Sequence, residues 1–273
     1  MASSTLPSNG RLINIGTHSL AIYSHGPGPS SSKDPVVLFI SGVASGALNW
    51  QAVSSPLTPS AENVARELSL LIENAPIPNP LIIVGHSWAG VLMHEYIALK
   101  GTDQIAGLVL VNANHETAPL VMNVNDPILW TVAPGVDPYS AWGIEAEHKL
   151  TKEEWDAFRA AEATEKYNLI AHKEDFDNYI PSFETLRKKG LSKKQPLVGD
   201  KPVYVIVGTR SRDWSGLYKA GVAKGDGTEE QRSYVRELIK TVDAKNEGLT
   251  REFLNCLQRA SLSSPPRVVT LSR

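Results

Sequence analysis

Leu81-Ile82-Ile83-Val84-Gly85-His86-Ser87-Trp88-Ala89-Gly90-Val91-Leu92 decides how this chain folds. Four apolar residues in a row read as a buried strand, and a helix opens at Val91. Between them stands a sharp turn with Ser87 at its apex. So tight a turn brings strand and helix into contact, which requires small residues two places before and two places after the serine. Gly85 and Ala89 fill those places. The hydroxyl is pushed out above the strand end, and the helix N-terminus points its free N–H groups at any negative charge forming there. The plainer alternative is an ordinary strand-to-helix turn with a capping serine.

Similar apolar runs recur on both sides of this stretch. Pro35-Val36-Val37-Leu38-Phe39-Ile40 follows a Gly/Pro/Ser loop at 26–34, and further runs lie at 107–111, 203–207 and, more weakly, 267–271. Continuous β-branched runs suit strands buried on both faces of a parallel sheet. Residues 11–26 read as a hairpin around Gly16-Thr17. Ala61 to Glu73 carries Val64, Leu68, Leu71 and Ile72 at helical spacing, with Ser60 as N-cap. Strand and helix therefore alternate, the pattern of a mostly parallel, doubly wound α/β sheet.

Residues 113–200 break the rhythm. Pro127, Pro134 and Pro138 come first. Two helices follow: one opened by the capping box Thr151-Lys152-Glu153-Glu154 and running to about His172, the other from about Phe176 to Lys189 with Pro181 as an early kink or a first-turn residue. A second capping box, Thr228-Glu229-Glu230-Gln231, opens a late helix that Gly248-Leu249-Thr250 is expected to divide. The organisation expected is a core in two parts, 1–112 and 201–273, with 113–200 as an inserted helical cap.

Composition narrows the class. The 273 residues carry 27 Lys and Arg against 29 Asp and Glu, a net charge of −2, so no basic stripe marks a nucleic-acid partner. Hydrophobic residues make up 42% and charged residues 21%, which excludes wholesale disorder. The single Cys256 supports neither an intrachain disulfide nor a Cys-rich zinc site and reads as a small core hydrophobe. MASSTLPSNG is not built as a signal peptide, and no apolar run approaches the roughly 20 residues that span a bilayer. The expectation is a soluble, cytoplasmic protein without a membrane partner. Neither HExxH nor an Asp/His cluster suggests a metal. Gly42-Val43-Ala44-Ser45-Gly46 has the wrong spacing for a dinucleotide loop, so no cofactor is expected.

These residues resemble the α/β-hydrolase superfamily, most closely its fungal members with a Gly-His-Ser-Trp-Gly-Gly type of turn. The likeness runs from about 11 to 260 and includes Trp50, the 85–90 turn, Leu108-Val109-Leu110-Val111 with Asn112-Ala113-Asn114-His115-Glu116, and the segment 202–232. It implies a serine that attacks an acyl carbon, a histidine that takes its proton and an acid that orients the histidine. Ser87 would be the nucleophile. The backbone N–H groups of Val43 and Trp88 would hold the oxyanion, with Ser41 standing where the family often has histidine. Asp213 would be the acid, with Glu116 as the alternative.

Two departures stand against this. The family places its histidine after the last strand, and no histidine follows His172. His86 is expected under the turn and His94 too far along the helix. His18 and His25 belong to the hairpin, while His148 and His172 are expected to be solvated. Only His115 is left as a surrogate base. The family also has a further strand between Trp50 and Ala61, where only ten residues intervene; losing it should expose apolar surface beside the Ser87 strand. Two readings remain. One is an esterase- or lactonase-type serine hydrolase of a small apolar ester, in secondary metabolism, with Trp130, Tyr139, Trp142, Trp155 and Phe158 lining its cap. The other is a catalytically inactive protein of this fold that binds a ligand or partner.

Overall fold

A computed structural model describes residues 9–43, 60–123, 126–168, 176–194, 196–255 and 260–263. An antiparallel hairpin, β1 (Gly10–Asn14) and β2 (Ser19–Tyr23), stands apart from a five-stranded parallel sheet. That sheet holds β3 (Val36–Ile40), β4 (Leu81–His86), β5 (Ile105–Val111), β6 (Val203–Ile206) and β7 (Ala260–Ser263), in that spatial order. Every connection therefore leads to the next strand over, and all strands end at one edge of the sheet.

Burial alternates along the strands. Leu81, Ile83, Leu108, Leu110, Val203 and Val205 are buried, and with Ile40 they meet the helices of the main core. The alternate residues Val37, Phe39 and Tyr204 are exposed, Phe39 by 77%. In register, Phe39, Val84, Val109 and Tyr204 form a row across four strands on this more open face. Apolar surface is thus exposed on β3. The Ser87 strand β4 is paired on both sides, by β3 and β5, so it is not the strand laid open. The 44–59 segment itself lies outside the described residues.

Helix α1 (Ala61–Asn74) starts at Ser60, whose side chain accepts from the Asn63 N–H at 3.3 Å. Ala61, Ala65, Leu68 and Ile72 join the main core. Leu71 and Ala75, with Ile15 and Leu20 of the hairpin, form a second small core. Helix α2 (Ala89–Lys100) is apolar nearly all round, as a helix enclosed by neighbours must be. The short helices α3 (Ala118–Val121), α4 (Pro127–Thr131), α5 (Pro138–Ala141) and α6 (Ile144–Glu147) follow β5. Next come α7 (Lys152–Glu162), α8 (Glu165–Asn168) and α9 (Phe176–Lys188), with Pro181 inside α9. The Thr151–Glu154 capping box is present, but the helix it opens ends at Glu162 instead of continuing to 172. Thr164 starts a new turn there by accepting from the Tyr167 N–H at 3.1 Å.

Two more helices complete the core. Helix α10 (Arg210–Ala223) has no counterpart in the sequence reading, because Gly216 and Gly221 lower helix propensity. They are needed for close packing: a Cβ at Gly216 would lie 1.9 Å from the Ala141 carbonyl oxygen, and one at Gly221 1.8 Å from that of Val132. Helix α11 (Glu229–Asn255) begins at the expected capping box, with Thr228 and Gln231 bonded reciprocally at 2.8 and 3.2 Å. It runs unbroken for 27 residues, so Gly248 does not divide it. Buried Val235, Val242, Leu249 and Phe253 explain this, because tertiary packing along one face overrides a single glycine. Strand β7 at 260–263 was not expected; Cys256 and the run at 267–271 lie outside the described residues.

Candidate active site

Ser87 has φ +54°, a left-handed conformation that a serine adopts only when its surroundings hold it there. Those surroundings are tight. Ser87 N–H donates to Val111 O at 3.2 Å, and Ser87 O accepts from the Asn114 and Gly90 N–H groups at 2.8 and 3.0 Å. A Cβ on Gly85 would lie 3.0 Å from the Ala89 Cβ, so Ala89 is tolerated because Gly85 leaves room. A Cβ on Gly90 would strike Asn114 O at 2.5 Å. The loop after β3 also rests on the serine: a Cβ on Gly42 would be 2.7 Å from the Ser87 Cβ and 3.2 Å from its hydroxyl. Glycine at 42 therefore lets the backbone next to Val43 approach the Ser87 hydroxyl. On the other side, Trp88 caps α2, and its indole N–H donates to the Ser182 hydroxyl at 2.9 Å.

The Ser87 hydroxyl donates to Asn114 Oδ1 at 3.3 Å, and the Tyr179 hydroxyl donates to the same oxygen at 3.0 Å. Burial pushes the Tyr179 phenol up to about 12, so it stays a donor at neutral pH. Asn114 is a buried neutral amide and takes no proton from serine. Sequence reading passed over both residues. Asn114 stands two places beyond Asn112, at a strand end that was legible. Tyr179 comes from a helix 65 residues away, which no local pattern connects to Asn114.

No described imidazole hydrogen-bonds the Ser87 hydroxyl. His115, the expected surrogate, is 6% exposed, and its Nδ1 lies 2.8 Å from Thr117 Oγ1 and 3.0 Å from Glu252 Oε2. Its ring stands edge-on to Phe253 at 4.9 Å. Burial pulls its pKa down to about 4 against the opposing pull of Glu252. Burial and the Arg210 charge bring His86 to about 4 as well, and its buried Nδ1 has no partner among the described residues. His94 meets Gly90 O at 2.6 Å. His18 sits 3.6 Å from Glu67, and His25 is exposed in the hairpin's outgoing chain. His148 stacks on Trp155 at 4.2 Å with a buried Nδ1, so it is not a freely solvated residue. His172 lies outside the described residues.

The two candidate acids lie in different surroundings. Asp213 is in the first turn of α10, half-buried, and makes no hydrogen bond among the described residues. Burial raises its carboxyl to about 6, while Arg212 and Arg210 pull it down. Arg212 itself is engaged by Glu147 at 2.8 Å. Glu116 is buried, and its charge is felt by His94 on α2. A further charged residue that sequence reading did not single out is Arg210, the first residue of α10. Its Nε donates to Asn246 Oδ1 at 3.1 Å, and Asn246 in turn donates to Asn112 Oδ1 at 3.3 Å.

The aromatics between 139 and 158 largely satisfy one another. Tyr139 makes edge contacts with Trp142, Trp155 and Phe158 at 6.1, 5.8 and 5.4 Å, with the Arg159 guanidinium 4.8 Å above its ring. Trp130, by contrast, is 45% exposed. A cavity of about 600 Å³ at the C-terminal end of α2, lined by Ile97, Gly101, Lys189 and Leu191, is remote from Ser87. Among the described residues no group of three His, Cys, Asp or Glu is placed to hold a metal, and no helix is long and apolar enough to cross a membrane.

Comparison with known proteins bears on the family and the fold. A protein of Hormonema carpetanum described as "Probable transporter efuK" is 28% identical over 286 residues, covering 94% of this chain; the chain spans only 38% of that protein's length. Among solved structures, a candidate lipase of Acinetobacter baumannii has 17% identity and a TM-score of 0.53, over 93% of this chain and 83% of that one. A candidate epoxide hydrolase of Pseudomonas aeruginosa has 13% identity and a TM-score of 0.52, over 89% and 98%. At such identities the likeness speaks for the fold. The model of the alpha/beta hydrolase family matches residues 8–240, and with the strained serine at the end of β4 the conclusion is that this chain belongs to the alpha/beta hydrolase family.

Proposed function

We propose that the chain is a slow serine hydrolase that acts through Ser87 on a small apolar carboxylic ester or lactone. The observation that carries this is the strained turn at Ser87 with Gly42 packed on its hydroxyl side. Such a turn presents the oxygen to an acyl carbon, and the N–H groups of Trp88 and Val43 are the donors for the oxyanion. Asp213 and Glu116 are the acids available to a proton-transfer chain. Turnover is low because a hydroxyl that no described imidazole assists is a weak nucleophile, and the Ser87 proton is directed at an amide oxygen. Without a base, roughly 10³–10⁴-fold over water is what an oxyanion hole and binding supply.

That same hydrogen bond favours a second reading, in which the site binds its ligand without turning it over. Labelling with a fluorophosphonate, followed by peptide mass spectrometry, separates the two. Adduct at Ser87, together with 4-nitrophenyl acetate hydrolysis that Ser87→Ala abolishes, is the result expected. A folded protein that takes no label and hydrolyses no faster than Ser87→Ala would replace the first reading with the second. A place in secondary metabolism and a cytoplasmic location belong to this proposal and follow the fate of the activity.

A further inference from the structure

We infer that Arg210 makes the Ser87 site selective for ligands that carry a carboxylate on an otherwise apolar body. The inference refines the proposed function, because it takes Ser87 to be where the ligand reacts, but it needs only binding. Three strand tips line one edge of the sheet. Ser87 N–H bonds Val111 O, and Asn112 N–H bonds Ile206 O, so the tips of β4, β5 and β6 follow in order. The tip bearing Ser87 and the one bearing Arg210 are thus two strand spacings apart, about 10 Å. An arginine side chain covers most of that gap.

Its direction is set by Asn246. That buried amide accepts from Arg210 Nε and is itself held by Asn112 Oδ1 and Gly208 O, at 3.3 and 3.4 Å. With Nε fixed, the two terminal nitrogens of the guanidinium remain for another acceptor. No carboxylate among the described residues comes within ion-pair distance of them. Asp243 is taken up by Ser211, whose N–H and hydroxyl donate to it at 2.9 and 2.5 Å. Asp213 and Asp243 are near enough for their charges to be felt at Arg210, and so is Tyr179, which shares Asn114 with the Ser87 hydroxyl. His86, next to the serine, also feels the arginine.

A half-buried guanidinium with no carboxylate in ion-pair contact among the described residues is costly, and a planar carboxylate matches its fork. The first residue of a helix is moreover an unfavourable place for a cation and a favourable one for an anion. A ligand with its acyl carbon at Ser87 and a carboxylate a few bonds away satisfies both demands.

The test is calorimetric titration of the full chain with monomethyl glutarate and dimethyl glutarate. Tenfold or tighter binding of the monoester is expected. That preference should vanish in Arg210→Gln and survive in part in Arg210→Lys. Equal affinity for the two esters, or a preference that persists in a folded Arg210→Gln, overturns the inference. So does inorganic phosphate displacing monomethyl glutarate as well as free glutarate does, since the site would then read charge alone. If Arg210→Gln fails to fold, the wild-type and Arg210→Lys titrations still decide. Absence of Ser87 labelling alongside an intact monoester preference would sink the hydrolase reading and leave this one standing.

Discussion

Asn114 and His115 are neighbours in the chain and serve two different places. Asn114 turns toward β4 and takes the Ser87 and Tyr179 hydroxyls on one oxygen. His115 turns toward α11, where it meets Thr117 and Glu252 and packs on Phe253. Among the described residues, one place has a serine hydroxyl without an imidazole; the other has an imidazole and a carboxylate without a serine. Residue types alone would put serine, histidine and carboxylate together. The direction of two successive side chains divides them.

The largest effect is expected where the two places share backbone. Gly90 lies under Asn114, and a side chain there would meet backbone atoms 2.5 and 2.9 Å away, which cannot swing aside. Gly90→Val should lower unfolding stability by about 3 kcal/mol, the upper end for an overpacked core, and abolish fluorophosphonate labelling. A urea midpoint that stays within error of wild type would show that the 112–116 turn moves freely and that the division is not fixed by packing.

A somewhat smaller effect belongs to His115 alone. Its folded pKa of about 4 lies below the ordinary 6.5, so between these values the unfolded chain holds more protons. The contribution is then fully present above 6.5 and is lost as pH falls through 4. From pH 7 to 4 the wild type should lose about 2–3 kcal/mol more than His115→Gln. Asp213 acts with opposite sign: its carboxyl is raised from 3.8 to about 6, so its part of the stability is lost as pH rises through that window. Asp213→Asn should therefore steepen the acid-side loss that His115→Gln flattens. Urea unfolding at pH 4, 5.5 and 7 reads both, and parallel curves for all three proteins would refute the assignments.

Much of this was legible beforehand. The Leu81–Leu92 turn, the parallel strands, Ser60 and both capping boxes follow from periodicity and cap chemistry, which act over a few residues. What escaped was long-range. Helix α10 was hidden by two glycines that are there for the Ala141 and Val132 carbonyls, 75 and 89 positions earlier in the chain. Tyr179, Asn246 and Arg210 come from separate helices; only in the finished fold does Tyr179 share the Asn114 oxygen with Ser87 and Arg210 reach Asn112 through Asn246. The Asn114–His115 division was unreadable for the same reason, since each side chain's direction depends on which distant helix accepts it.

Glu252→Gln gives a smaller and sharper test. The carboxylate is partly exposed, so its loss should cost about 1 kcal/mol or less. If the two places are separate, the rate of Ser87 labelling should match wild type within twofold, and His115→Gln should do the same at pH 7. A tenfold fall in labelling in both variants would join His115 to Ser87 as its base and erase the comparison.

The smallest effect concerns the serine itself. At φ +54° a residue with a Cβ pays roughly 1 kcal/mol relative to glycine. Removing the hydroxyl gives up one half-buried hydrogen bond, about 0.5–1 kcal/mol, while Tyr179 continues to satisfy Asn114. Ser87→Ala keeps the strain and loses the bond, so it should be less stable than wild type by about 0.5–1 kcal/mol. Ser87→Gly loses the bond and relieves the strain, and should fall within about 0.5 kcal/mol of wild type. The glycine variant should therefore be the more stable of the two by roughly 1 kcal/mol, although neither takes the label. An alanine variant as stable as the glycine one would mean that nothing at this turn is held under strain, and the serine's left-handed conformation would then need another cause than the packing of Gly42, Gly85 and Gly90 around it.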